Sequence, residues 1–279
     1  MALIIPEIYS KITREKFEEN IKLAKLASAL GDLKNTTVGE TIHFPKFKMM
    51  GEANEVVKGT ESPIYSLDQS DSTATIKMID HIAKIYDIDN ITVMGNQIEE
   101  ASSQQALIFA RKLDKDLIEE ASSTSLKYAT ADGKAITANE LNESLALFGD
   151  ESDVEDFGGI VINSILDSSF YAMDEFVDVN KTYKTYNTNG NGIVRNGMIG
   201  YFRGIPVFHA NNGNYDSATN ECKTFIIKKN SLAYMEKKSI DIKEQREEKL
   251  HCSFIVGTYI YAVKQIKNDG IIMLKKTIV

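Results

Sequence analysis

The chain has 279 residues, of which 43% are hydrophobic and 26% charged, and this composition indicates a globular protein with its own core. Its net charge of −8 comes from interspersed acidic and basic residues, which argues against a dedicated nucleic-acid-binding face. No apolar run approaches the ~18 residues of a membrane helix, and the N-terminus does not have the pattern of a secretory signal. We therefore expect a protein without membrane contacts that stays in the cytoplasm where it is made, unless it leaves by cell lysis.

The N-terminal segment reads as a helical arm. Ser10 or Thr13 is expected to cap a helix that continues to about Leu30, with Phe17 and Ile21 on its apolar side. Because the other side of this helix is charged, we expect it to pack on another element.

Residues 36–90 form an extended β excursion. Strand-like runs occupy Thr41–Phe47 and residues 73–88, and Pro45 restricts the first of them to an edge or an exposed ribbon. Between them lies a polar segment with turn signals at Gly51 and Gly59. Such an excursion cannot bury a core of its own, so it is either partly disordered or lies against a neighbouring molecule.

A long amphipathic helix is predicted over residues 95–121. No Gly or Pro interrupts it after Gly95, and at 1.5 Å per residue it spans roughly 40 Å. The acidic residues Asp114 and Asp116 are expected on a solvated face or in salt bridges between subunits. The small and apolar residues follow helical spacing and form one stripe: Ile98, Ser102, Ala106, Phe109, Leu113 and Leu117.

The remainder reads as mixed α/β structure. The predicted helices cover residues 139–148 and 164–173, the second capped by Asn163 or Ser164. A buried strand is predicted at residues 158–163, and a strand–turn–strand unit with its turn at Arg203 and Gly204 at residues 197–211. The last sixty residues are strand-rich, and the NDG sequence at residues 268–270 predicts a β-hairpin.

The sequence shows no recognisable catalytic or metal-binding pattern. The glycine-asparagine loop at residues 187–192 opens like a calcium loop but contains no carboxylate. We therefore expect no metal, no cofactor and no enzymatic activity. The two cysteines are expected to be reduced thiols, although a disulfide between neighbouring strands stays open. Neither they nor the histidines have ligand spacing: His43, His81, His209, His251, Cys222 and Cys252.

Four stretches together resemble the major capsid proteins of tailed phages, in particular coat proteins of phages that infect Gram-positive hosts. In chain order they read PEIYSKITREKFEENIKLAKLA, GETIHFPKFKMMGEANEVVKG, IEEASSQQALIFARKLDKDLI and GMIGYFRGIPVFHAN. The third stretch ends in the apolar-D-x-D-apolar pattern of the family's long helix. The resemblance extends over nearly the whole chain.

This resemblance implies an α+β fold of the Hong Kong 97 type. Such a fold has an N-terminal arm, an extended β loop, a peripheral domain that contains a long spine helix, and an axial domain. The corresponding segments are residues 1–35 for the arm, 36–82 for the extended loop, 83–136 for the peripheral domain with the spine helix at about 94–121, 137–220 for the axial domain, and 221–279 for the return to the peripheral sheet.

The family further implies a structural protein that forms hexamers and pentamers and assembles into an icosahedral shell around double-stranded DNA, without sequence-specific contacts. Its place would be the virion, after assembly in the bacterial host cytoplasm. A portal, a decoration protein and a scaffolding protein are the implied partners. Because no scaffold-like leader precedes the arm, we expect the scaffold to be a separate protein or to have been removed already. The expected assembly surfaces are Phe17, Ile21, Gly51, Glu52, Asn54, Glu55, Lys58, Gly59, Asn187, Asn189, Gly190, Asn191 and Gly192.

Two other functions remain as alternatives at this stage. An encapsulin-type compartment subunit would have the same fold and would enclose cargo enzymes instead of DNA. A small-molecule enzyme with its site in residues 157–211 is disfavoured, because no His, Cys or Ser clusters with partners in the sequence.

Overall fold

The structure is a computed structural model that describes residues 6–32, 41–47, 54–55, 58–59, 61–62, 64–66, 69–88, 97–149, 153–177 and 197–278. No helix in these ranges combines the length and apolar character needed to cross a membrane. The helices and strands are α1 (Pro6–Asn20), β1 (Ser28–Asp32), β2 (Thr41–Phe47), β3 (Gln69–Thr75), β4 (Lys77–Tyr86), α2 (Gln97–Ala121), β5 (Leu126–Ala129), α3 (Ala138–Ala146), β6 (Phe157–Ile162), α4 (Asp167–Tyr171), α5 (Asp174–Val177), β7 (Met198–Phe202), β8 (Ile205–His209), β9 (Tyr215–Asp216), β10 (Glu221–Cys222), β11 (Thr224–Lys228), β12 (Leu232–Glu247), β13 (Cys252–Gln265) and β14 (Ile271–Lys275).

The long helix α2 lies on a four-stranded sheet whose strand order is β1-β12-β13-β4. The central strands β12 and β13 have 16 and 14 residues and are longer than ordinary strands. Strands of this length can support a long helix along its axis. β13 pairs antiparallel with both of its neighbours, whereas β1 joins β12 in parallel. The helix α1 packs on α2 and on β12, so both helices contact this sheet.

The predicted stripe of the long helix is confirmed. Every stripe residue from Ser102 to Leu117 is buried, and the side chain of Ile98 lies outside the described residues. The helix approaches the sheet closely at Gly257, where an added Cβ would lie 3.0 Å from the Phe109 ring and 3.1 Å from Gln105 Oε1. The Gln105 side chain donates to the main-chain oxygens of Ile255 and His81 at 3.0 and 3.2 Å.

A second sheet has six strands in the order β5-β14-β11-β6-β8-β7 and is covered on both faces. Along β11, Phe225 and Ile227 face the core that contains α2, while Ile226 faces a second core that contains α3, α4 and α5. The same alternation occurs along β6 and β14, as the two-residue period of a strand requires. The predicted domain boundaries at residues 136 and 220 would assign strands of this one sheet to two domains, because β11 pairs with β6 and β14 pairs with β5. The division into domains stays a prediction.

The N-terminal helix differs from the prediction at both ends. It begins at Pro6 and ends at Asn20, and residues 28–32 form the strand β1 instead of a last helical turn. The reason is tertiary: the turn from Leu23 to Ala27 reverses the chain, and the segment that follows pairs with β12. Pairing with a neighbouring strand outweighs the weak helix preference of a short segment.

The predicted β-hairpin at residues 268–270 is also wrong, although the turn exists. The turn connects β13 to β14, but these strands belong to different sheets: β13 pairs with β12 and β4, and β14 pairs with β11 and β5. Gly270 is required for a different reason, because a Cβ there would lie 2.0 Å from Ser231 Oγ. The turn therefore moves the chain from one sheet to the next.

The other predicted elements of the second half are confirmed. The helix α3 carries a capping box in which the Thr137 side chain accepts from the Glu140 amide and the Glu140 side chain accepts from the Thr137 amide. Asn163 caps the helical segment that follows β6. Arg203 and Gly204, with φ of 50° and 86°, form the turn between β7 and β8, as two-residue hairpins prefer.

The β excursion contains an antiparallel ribbon of β2 and β3, paired from Thr41 opposite Thr75 to Phe47 opposite Gln69. Only Ile76 separates β3 from β4, so the ribbon continues directly from an edge strand of the four-stranded sheet. Phe44, in the middle of this ribbon, is fully buried in a small core with three alanines from β3, β12 and β13: Ala74, Ala233 and Ala262.

The close approach at Gly257 yields a stability prediction. Gly257→Ala should lower the free energy of unfolding by about 1–3 kcal/mol, because the added methyl group must displace the Phe109 ring or the Gln105 amide. Urea denaturation measures this loss. Thr258→Ala, one residue along on the half-buried opposite face, is the matched control and should cost less than Gly257→Ala. An equal or smaller loss for Gly257→Ala would contradict this account of the packing.

Candidate assembly surfaces

The apolar side of α1 lies inside the chain's own core. Phe17 and Ile21 are only 4% and 7% exposed, and the Phe17 ring meets Tyr259 edge-on with 5.3 Å between ring centroids. Arg14 Nε donates to the Ile240 carbonyl oxygen at 3.1 Å, which fixes the helix to β12. Phe17 and Ile21 were expected on an assembly surface; in this structure they contact the chain's own sheet, because β12 and β13 cover the apolar face.

A carboxylate from the long helix fixes the turn after α1. Asp114 Oδ1 accepts from the Leu23 amide at 3.0 Å, and its Oδ2 accepts from the Lys22 amide at 3.3 Å. These amides open the single helical turn from Leu23 to Ala27, so Asp114 acts as an N-cap supplied by another helix. Burial raises the pKa of Asp114 to about 6, against the opposing effect of these amides.

Asp116 is buried in a polar network at the other side of the same helix. Its carboxylate accepts from Lys112 Nζ at 2.7 Å and from the Tyr261 hydroxyl at 2.6 Å, and Lys77 Nζ lies 3.3 Å away. Burial alone would raise the pKa of Asp116, but these partners leave it below its usual value. We expected Asp114 and Asp116 on a solvated face or in salt bridges between subunits. In the structure both are buried, and each aspartate bonds to groups of the same chain.

A pocket of about 290 Å³ opens between α1, β1 and β12. Its floor includes the hydrogen bond from the Tyr259 hydroxyl to Glu236 Oε1, at 2.6 Å. This volume is just below the range of about 300–1,000 Å³ that is usual for small-molecule sites. The residues that line it are both apolar and charged: Arg14, Phe17, Glu18, Ile21, Ala29, Tyr234, Glu236, Ser239, Ile240 and Tyr259.

The tip of the excursion exposes apolar side chains that the sequence reading did not single out. Ile64 is 98% exposed and Tyr65 47% exposed, and the Tyr65 hydroxyl accepts from Asn54 Nδ2 at 2.9 Å. The predicted tip residues that the structure describes are all exposed: Asn54, Glu55, Lys58 and Gly59. The remaining predicted residues lie outside the described ranges: Gly51, Glu52, Asn187, Asn189, Gly190, Asn191 and Gly192.

The outer face of β4 is a second exposed surface. Its outward side chains alternate with half-buried ones along all ten residues of the strand. Lys84 Nζ lies over the Tyr86 ring, 4.4 Å from its centroid, and 5.7 Å from that of Phe254. The outward-facing residues are Met78, Asp80, Ile82, Lys84 and Tyr86, and the three apolar ones are between 43% and 66% exposed.

The titratable groups show no catalytic arrangement in the part of the chain that the structure describes. His209 Nε2 lies 2.5 Å from Asp167 Oδ1, and this partly buried pair joins the end of β8 to the start of α4. Cys222 and Cys252 are free buried thiols, as predicted, and burial raises the pKa of Cys222. No group of three or more His, Cys, Asp or Glu side chains that could bind a metal occurs within the described ranges.

Comparison with known sequences gives one relative and no matching family model. The relative is the major capsid protein of Staphylococcus phage phiMR11, which is 27% identical to this chain over 148 residues. The match covers 53% of each protein, so the chain spans about half the length of the curated relative it matches.

Comparison with solved structures gives many matches, among them structures of phages and of a GTA particle. The capsid of a native GTA particle matches with a TM-score of 0.67 and 12% identity, over 93% of this chain and 91% of that one. The mature capsid of bacteriophage PhiM1 matches with a TM-score of 0.64 and 13% identity, over 91% and 86%. The capsid of Cyanophage P-SCSP1u matches with a TM-score of 0.64 and 14% identity, over 88% and 86%. These matches confirm a mixed α+β capsid fold for this chain.

The buried carboxylate yields a prediction about pH. Asp114 binds a proton more tightly in the folded chain, with a pKa of about 6, than in the unfolded chain, at about 3.8. Its stabilising contribution is therefore complete below the unfolded value and is lost as the pH rises through about 6. Relative to Asp114→Asn, the wild type should gain up to about 3 kcal/mol of unfolding free energy between pH 7 and pH 4.

Urea unfolding of both proteins at several pH values measures this difference. Glu119→Gln on the exposed face of the same helix is the control, because its carboxylate makes a solvent-exposed contact with Lys115 at 3.9 Å. A difference between wild type and Asp114→Asn that does not change with pH would contradict the assigned role of Asp114.

Proposed function

We propose that this chain, which has the fold of bacteriophage capsid subunits and is similar in sequence to a phage major capsid protein, is a structural protein that assembles with copies of itself into a virion shell. The observation that carries this proposal is the agreement with phage capsids along the chain. At least 88% of this chain and 86% of the other chain align in the three structures described.

The architecture supports a structural role. The two buried carboxylates of α2 act within the fold: Asp114 caps a turn, and Asp116 bonds to Tyr261 and two lysines. The exposed apolar side chains at the excursion tip and on β4 instead provide area that a neighbouring subunit can bury. We therefore propose a nonenzymatic protein.

The parts of a Hong Kong 97-type subunit can be proposed for the segments of this chain. The α1 region would be the N-terminal arm, the β2–β3 ribbon and its tip the extended loop, and α2 the spine helix. The four-stranded sheet would belong to the peripheral domain, and the strands β6–β8 with α4 and α5 to the axial domain. The axial loop at residues 187–192 remains a proposed assembly surface.

The shell would be built from hexamers and pentamers and would enclose double-stranded DNA without sequence-specific contacts. A separate scaffolding protein, a portal and a decoration protein are the proposed partners, and the host cytoplasm is the proposed place of assembly. The relatives found are phage and GTA particles, and this favours a virion shell over an encapsulin-type compartment.

Electron microscopy of the purified full-length chain tests the proposal directly. Closed shells, capsomer rings, tubes or sheets that form as concentration is raised would support it. To supply a scaffolding protein, the same chain is also co-expressed with the genes that neighbour its own. Monodisperse small particles under both conditions would contradict the proposal.

The excursion tip yields a matched pair of variants. Deletion of residues 48–61 should leave a folded subunit that no longer forms closed particles, because the described tip residues belong to none of the three cores. Replacement of the same residues by a Gly/Ser linker of equal length keeps the reach of the excursion and separates length from side-chain contacts. Circular dichroism checks folding, and microscopy checks closure. Normal shells from the deletion variant would exclude this role.

Single substitutions at the tip make a finer prediction. Ile64→Ser should change the free energy of unfolding by less than about 0.5 kcal/mol, because the side chain is 98% exposed. If a neighbouring subunit buries Ile64, the same substitution should raise the concentration needed for assembly. The control is Ile108→Ser, at a 39% exposed position on α2. Unchanged assembly by Ile64→Ser would remove Ile64 from the proposed contacts.

A further inference from the structure

The strand β4 is a ten-residue edge strand. It pairs with β13 along one side, from Lys77 opposite Tyr261 to Tyr86 opposite Cys252. It ends the strand order of its sheet, and among the described residues no other strand pairs with its second side. Ten residues of open edge present main-chain donors and acceptors that another strand can bind.

The side chains of β4 form a pattern that is complementary to itself. If two copies of the strand run antiparallel with Ile82 opposite Ile82 of the second copy, Asp80 falls opposite Lys84 of the second copy and Lys84 opposite Asp80. In the same register Met78 falls opposite Tyr86, so apolar residues meet at the centre and at both ends. All five side chains are exposed and lie on one face of the strand.

We propose that β4 pairs with β4 of a second copy of this chain, antiparallel about a two-fold axis at Ile82, and joins two four-stranded sheets into one of eight strands. The partner is this chain itself, since the charge pattern is neutralised when the strand is paired with a reversed copy of itself. Like charges would face each other if the register moved to centre on Asp80 or on Lys84.

The second face of the strand is compatible with the same register. On the inward side Ile79 falls opposite Ile85 of the second copy, and His81 falls opposite Ala83. These residues are half-buried in the single chain, so an added strand would complete their cover. Directly opposed ion pairs and apolar pairs on neighbouring strands each add to the stability of a sheet.

The contact is isologous, because each copy contributes the same surface. A closed icosahedral shell contains two-fold axes between its subunits, so the pairing specifies one contact of the proposed shell and in that respect rests on the proposed function. The pairing itself needs only two copies, however, and can be measured whether or not shells form.

Disulfide trapping tests the register. In Ile82→Cys the two new thiols would lie opposite each other with Cβ atoms about 5 Å apart, close enough for a disulfide after small adjustments. Mild oxidation with diamide should give a covalent dimer. The native cysteines Cys222 and Cys252 are buried and should not interfere.

The matched control lies on the same face of the same strand. Lys84→Cys alone should give no dimer, because the two introduced thiols would be about 14 Å apart in this register. The double variant Asp80→Cys/Lys84→Cys should restore the dimer, since each thiol then faces one from the second copy. Dimers from Lys84→Cys alone would overturn the proposed register.

A charge exchange tests the pairing without cysteines. Asp80→Lys and Lys84→Asp should each weaken dimer association roughly tenfold, because two like-charge pairs replace two ion pairs. The double variant Asp80→Lys/Lys84→Asp restores both ion pairs and should recover the wild-type association, measured by sedimentation. If the double variant is as weak as either single variant, the two residues do not face each other.

The trapping is performed on assembled particles and on the concentrated soluble chain. Dimers of Ile82→Cys without particles would support the inference and count against the proposed function. Particles without such dimers would support the proposed function and count against the inference. If neither sample gives dimers, the inference is overturned whatever the state of assembly.

Discussion

The packing of α2 on the four-stranded sheet is the contact on which the rest of the structure depends. Its apolar stripe is covered by β13 and β4, and the absence of a side chain at Gly257 allows the close approach. The same helix supplies Asp114 to the turn after α1 and Asp116 to Tyr261. Its position thus determines where the chain turns after α1 and how β13 is held.

The second sheet extends this arrangement because its two faces belong to different cores. Phe225 and Ile227 join the core of α2, while Ile226 joins the core below α3. Because β11 is buried on both faces, a shift of this strand that repacks the side chains of one core also moves the side chains in the other core. The ribbon is attached more lightly, through Phe44 and a few alanines.

Local sequence patterns predicted the elements that depend on local physics. The helical spacing from Ser102 to Leu117 predicted the buried stripe, and Arg203–Gly204 predicted its turn through backbone conformation. The errors arose where distant segments decide the outcome. Residues 28–32 form a strand because β12 lies beside them, and the NDG turn joins two sheets because β14 finds its partners elsewhere.

The candidate surfaces were predictable only in part, for a related reason. An apolar stripe such as Phe17 and Ile21 shows that a face must be covered, but it does not show whether the chain or a neighbour covers it. The exposure of Ile64 and of the outward face of β4 depends on the tertiary structure, which the local sequence pattern does not determine. Once β4 was known to be an edge strand, however, the order of its charges could be read from the sequence again.

The near continuity of β3 and β4 has a mechanical consequence. Because only Ile76 lies between them, tension applied at the excursion tip passes along the backbone into β4. Where that tension runs parallel to the strand, the hydrogen bonds between β4 and β13 resist in shear and share the force, and do not open one after another. A subunit pulled outward through its excursion would therefore resist through the whole length of β4.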